Sequence, residues 1–155
     1  MGLSSNILWH QTTLDGLKGI LNEQGFFYSY SLESILSRES KNNLNVAFPM
    51  VSLCDLPFSE LNDYIKKYGG YLIGMKRTWG KSNGLAPVWY CDSESTILNA
   101  IIDRYNQIEV NIKNGKNFTI SREIFLYTLS HIKNYEGQLI AHDFNKYRFY
   151  DEREF

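Results

Sequence analysis

The chain of 155 residues contains only two cysteines, three prolines and three histidines, and no stretch comes near the roughly 20 apolar residues that a membrane span requires. Each shortage excludes something. Cys54 and Cys91 stand alone in apolar, strand-like surroundings without CxxC spacing, and His10, His131 and His142 do not pair with them or with one another at ligand spacing, so no zinc site is expected. Both thiols read as reduced core residues. The N-terminus lacks the basic-then-apolar pattern of a secretory signal, which predicts a cytoplasmic protein. Met1-Gly2 does not continue as a myristoylation motif, because Asn6 stands where that motif needs Ser or Thr. Sixteen basic against seventeen acidic residues leave a net charge of -1, so the molecule as a whole has no general attraction for nucleic acid. A nucleophile elbow, a Walker loop and a dinucleotide glycine fingerprint are all missing.

What is present suffices for one domain, 1–155, with a sizeable core. Ile7, Leu8 and Trp9 suit a buried strand, Thr12 or Thr13 can cap the helix that follows, and Leu14, Leu17, Ile20 and Leu21 recur at helical spacing up to Gly25. Phe26 to Tyr28 reads as a short strand, and Ser31 as the cap of a brief helix carrying Leu32, Ile35 and Leu36. Val46 to Cys54 is strand-like, Pro49 favouring its Met50 to Cys54 half. A helix from Pro57 or Ser59 with Phe58, Leu61, Tyr64 and Ile65 on one stripe stops at Tyr68-Gly69-Gly70. Strands follow at Tyr71 to Met75 and Ala86 to Tyr90, with a turn at Asn83-Gly84. Two amphipathic helices come next, one from Asp92 or Ser93 to Gly115, the other from Ser121 with Ile124, Phe125, Leu129 and Ile132 as its stripe. They predict a helical-hairpin insertion over 93–136. Lys146 to Phe155 reads as a final strand, and the fold class as α+β.

Chemistry has few places to sit. His10 lies at the exit of a strand, beside Thr12 and facing a helix N-terminus, where it can hold a sugar hydroxyl or a phosphate, or serve as an ordinary hydrogen-bonded structural residue. Glu152 and Glu154 alternate on the last strand, so their carboxylates share a face. One of them can hydrogen-bond a ribose hydroxyl and stabilise the charge that grows as a glycosidic bond loosens; a solvated charged tail is the plain alternative. No acidic residue falls between Asp63 and Asp92, while Lys66, Lys67, Lys76, Arg77 and Lys81 do. This local basic patch is either a solvated face or a phosphate-binding surface.

Leu8-Trp9-His10-Gln11-Thr12, Ser52-Leu53-Cys54-Asp55-Leu56-Pro57, Tyr68-Gly69-Gly70-Tyr71, Pro87-Val88-Trp89-Tyr90 and Tyr150-Asp151-Glu152-Arg153-Glu154 together resemble the bacterial AbiGi family of abortive phage resistance proteins. That resemblance implies a role on the antitoxin side of a two-gene defence system, with a cognate toxin encoded nearby. More distantly, the strand with His-x-Thr, the Tyr-Gly turn and the late glutamate are similar to the ADP-ribosyltransferase fold of DarT-like toxins. This second resemblance implies a split mixed sheet and NAD as cofactor. His10 and Thr12 would then lie on the adenosine-side ribose, Tyr68 would stack on nicotinamide with Tyr28 and Tyr30 as rivals, and Glu154 or Glu152 would be catalytic. The acceptor would be nucleic acid or a protein. Family members are expected to continue past Glu152-Arg153-Glu154 with Trp-Arg and a further strand, whereas this chain stops at Phe155. Two functions therefore stand side by side: an NAD-using transferase, and a non-enzymatic antitoxin whose many Tyr and Phe residues make protein contacts.

Overall fold

A computed structural model describes residues 6–36, 43–68, 70–138, 146–148 and 155. Their elements are strands and helices in mixed order, which bears out the α+β expectation. The chain divides into two compact units, one of Met1–Ser31, Pro49–Pro87 and Tyr150–Phe155, the other of Leu32–Phe48 and Val88–Phe149.

In the first unit, strand β1 (Ile7–Thr12) pairs antiparallel with β4 (Tyr71–Lys76), Trp9 lying opposite Gly74 and His10 opposite Ile73. Because side chains alternate across a strand, β1 serves two faces. Trp9 joins Leu72, Cys54, Leu56, Leu61, Tyr64 and Ile65 in one apolar cluster, closed by a 3-10 turn (Phe58–Glu60) and helix α2 (Leu61–Tyr68). Leu8 and His10 serve the other face, where helix α3 (Arg77–Ser82) places Gly80 so close to Leu8 that a Cβ there would stand 2.9 Å from its Cδ1. Helix α1 (Leu14–Glu23) starts at Thr13, whose Oγ1 accepts the Gly16 N–H at 3.1 Å, satisfying one of the open donors of the first turn. It ends on Gln24 in the left-handed conformation, φ 53°, one residue before the glycine that the sequence suggests.

The second unit is built on a helical hairpin. Helix α4 (Thr96–Lys113) buries Leu98, Ile102, Tyr105 and Ile108 on one stripe and turns at Gly115, φ 79°. Helix α5 (Thr119–Leu129) returns against it. The two helices connect strand β5 (Trp89–Cys91) to its parallel neighbour β6 (Ile132–Asn134), a connection that parallel strands require. Strands β2 (Ser29–Leu36) and β3 (Asn43–Met50) pair with each other, as do β7 (Glu136–Gln138) and β8 (Lys146–Arg148). Lys133 on β6 reaches Glu33 on β2 at 3.6 Å.

Several local expectations are corrected. Phe26 to Tyr28 forms no strand, and the segment expected to be a helix from Ser31 is β2 instead. Leu32, Ile35 and Leu36 have helical spacing, but the next strand in the chain, β3, supplies backbone partners, and Leu32 is exposed while Ile35 is buried. β3 contains Pro49 and stops at Met50, with only Cys54 forming a bridge beyond it. In a two-stranded sheet each strand is an edge, where the missing proline N–H is tolerated. Helix α3 fills the span between the Tyr71 to Met75 strand and the Asn83-Gly84 turn, where the sequence suggests no element. Ile132 belongs to β6 rather than to the α5 stripe.

Candidate functional site

The site lies in the first unit and is organised by the segment Ser52–Asp55. Trp9 and Cys54 exchange both backbone hydrogen bonds, at 2.8 and 2.9 Å, and Leu53 exchanges both with Phe155, at 2.7 and 3.1 Å. Consecutive residues of an extended segment direct their backbone groups to opposite sides, so this segment runs between β1 and Phe155. The Trp9 indole N–H donates to the Leu56 carbonyl at 3.1 Å.

His10 lies within β1 rather than at its exit, and its ring meets Phe26 and the 52–55 segment instead of the start of α1. Its Nδ1 lies 3.0 Å from the Ser52 carbonyl. A carbonyl only accepts, so Nδ1 carries a proton, and in the neutral ring Nε2 is then an acceptor. A group bound by Nε2 of the neutral ring would be a donor such as a hydroxyl. Phe26 packs edge-on to the imidazole with centroids 4.9 Å apart, and Trp79 packs on Phe26 at 5.5 Å. Thr12 is two residues from His10 on the same strand face, its Oγ1 against Gly16 and its carbonyl 2.6 Å from where a Cβ on Gly70 would stand. Tyr68 is the last residue of α2, and its side chain is outside what is described. Glu152 and Glu154 lie outside the described residues. Tyr28 and Tyr30 are strongly exposed.

Asp55 and Arg77 form an ion pair that composition and motifs do not reveal. Asp55 sits among Leu53, Cys54 and Leu56, all buried, and is itself only 6% exposed. One carboxylate oxygen accepts from the Arg77 guanidinium, and the other has no hydrogen-bond partner among the described residues. Arg77 also lies over the Phe155 ring at 5.2 Å, and its backbone N–H donates to Asn6 at 2.9 Å. The basic run between Asp63 and Asp92 is thus interrupted at Arg77, which is committed to a buried carboxylate. One signal was present in the sequence: an acidic residue inside an otherwise apolar block, which burial permits only with a partner.

Residues 24–155 match the family described as "Putative abortive phage resistance protein AbiGi, antitoxin". The chain belongs to the AbiGi family. The match takes in Asp55, Arg77 and the Tyr150–Glu154 block, and begins after β1 and α1. No curated protein and no solved structure matches the chain, and the likeness to DarT-like ADP-ribosyltransferases is not shown. Among the described residues, no group of three or more His, Cys, Asp or Glu side chains is placed to hold a metal. Among them also, no helix is long and apolar enough to cross a membrane.

Proposed function

We propose that this AbiGi protein is the antitoxin-side component of an abortive-infection system and neutralises a cognate toxin by protein contact. The family match over residues 24–155 carries this reading. Apolar side chains left in solvent support it. On α5, Ile120, Ile124 and Tyr127 are 74%, 59% and 75% exposed, a stripe at i, i+4 and i+7 of the kind a partner covers. Ile124, expected on the inward stripe, lies on this outward one. Phe27, Tyr28, Tyr30 and Phe58 are exposed in the first unit. Co-expression with the product of the neighbouring gene is expected to yield a co-purifying complex and to relieve toxicity. Relief should persist in His10→Ala and Glu154→Ala. Its loss in both, with folding intact, would rule out a mechanism of contact alone.

A second reading, that the first unit binds NAD and uses Glu154 or Glu152 in ADP-ribosyl transfer, is favoured by the His10 ring, held by the Ser52 carbonyl and two residues from Thr12 on one face of β1. Ligand that binds only the folded state raises stability as its concentration exceeds Kd. Millimolar NAD should therefore raise the melting temperature, and His10→Ala should abolish the rise. Absence of any shift in the folded wild-type protein removes this reading and leaves the contact mechanism standing.

A further inference from the structure

Four consecutive residues make four separate attachments. Ser52 orients the His10 ring through its carbonyl, Leu53 holds Phe155 by two backbone bonds, Cys54 holds Trp9 by two more, and Asp55 holds Arg77. The Arg77 guanidinium then returns to the Phe155 ring. The contacts close a loop from Asp55 through Arg77 and Phe155 to Leu53 and back along the chain.

Stability alone does not account for the carboxylate. Between Cys54 and Leu56, both almost wholly buried, an apolar side chain would avoid the desolvation of a charge, and the carboxylate oxygen that has no partner among the described residues adds to that cost. Buried ion pairs are often no more stabilising than apolar residues of similar volume. What an apolar residue cannot do is fix the plane of a guanidinium.

We propose that Asp55, acting through Arg77, is a positioning residue that sets where Phe155 joins the sheet beside Leu53, one residue from the carbonyl that orients His10. Phe155 directly follows Glu154 in the chain. On the NAD reading, on which this consequence rests, the pair holds Phe155, the chain neighbour of the proposed Glu154 carboxylate, beside the segment whose Ser52 carbonyl orients His10.

The test compares amide exchange within one sheet in the full chain. Asp55→Asn removes the charge that faces the partly buried Arg77 guanidinium and can fail to fold, so the informative variant is Asp55→Leu with Arg77→Met, which removes both charges and keeps apolar bulk. In that folded variant the Leu53 and Phe155 amides should exchange at least tenfold faster relative to those of Trp9 and Cys54, which are bonded to each other and serve as the internal reference. Arg77→Lys, with charge but no planar face, should fall between. If all four amides of the double variant change in step, Asp55 has no positioning role. A wild-type melting-temperature rise with NAD should disappear in the double variant, and its full retention would equally overturn the proposal. A wild type that shows no rise would sink the NAD reading, while the exchange ratio still decides the positioning role.

Discussion

The first unit and the helical hairpin of the second solve the problem of a core differently. The hairpin is local: α4 and α5 follow one another, their buried side chains are nearly all apolar, and their polar contact is placed toward the surface, where Arg122 Nε donates to Glu109 at 2.6 Å. The first unit is drawn from three separated pieces of chain and places a charged pair and a hydrogen-bonded histidine beside its core. Apolar burial is indifferent to direction, whereas ion pairs and carbonyl contacts fix orientation. The first unit is thus built where groups must be held at set angles, the hairpin where bulk suffices.

The sharpest way to break this contrast is to remove one partner of the buried pair. Asp55→Leu alone takes the carboxylate away from the partly buried Arg77 guanidinium and should cost at most about 3–5 kcal/mol in denaturant unfolding, whereas the double variant with Arg77→Met should recover most of it. A double variant as unstable as the single one would mean that the pair itself sustains the fold. In the hairpin, Ile102→Ala should cost about 2–5 kcal/mol through lost burial and the cavity left behind, with no partner change able to restore it. Gly70→Ala comes next, at about 1–3 kcal/mol, because its φ is 78° and a Cβ would stand 2.6 Å from the Thr12 carbonyl. Serine at that position should be no better tolerated. Thr13→Ala should cost about 1 kcal/mol by removing the α1 cap, and Thr13→Ser should restore it.

The smallest effect concerns pH in the hairpin. The Arg122 hydrogen bond, aided by one from Tyr105, holds the Glu109 carboxyl below the usual glutamate range. A lowered value means that its contribution is complete above the ordinary carboxylate pKa and fades as pH falls through the folded one. Tyr105 is raised above its ordinary value, first by burial and then by its bond to Glu109, so its share is present below about pH 10 and lost as pH rises through the folded value. Glu109→Gln should therefore flatten the acid limb of a stability profile while leaving the first unit's variants unaltered. An unchanged acid limb would show that the exposed pair contributes nothing measurable.

Most of the hairpin was legible in the sequence, because the spacing of Leu98, Ile102, Tyr105 and Ile108 is itself the helical period and Gly115 marks the turn. β1, α1, α2 and β4 were legible for the same local reasons. β2 was not: the spacing of Leu32, Ile35 and Leu36 fits a helix, and only pairing with β3 makes it a strand. Ile124 showed a similar limit, since α5 carries apolar residues on two faces and periodicity alone does not say which one is buried. At the site, His10 and Thr12 stood out by residue type, but the groups that hold the histidine, Ser52 and Phe26, and the pairing of Asp55 with Arg77 join positions far apart in the chain.

The sequence by itself determined the α+β class, the principal helices and the membership in the AbiGi family, because each is written in local periodicity or in short blocks such as Ser52–Pro57. Only the tertiary structure decided which carbonyl holds the His10 ring and which basic residue is committed to a buried carboxylate. Those outcomes depend on hydrogen bonds and ion pairs across 42 and 22 residues of chain. Such contacts form where the fold brings the partners together, and no local pattern encodes them.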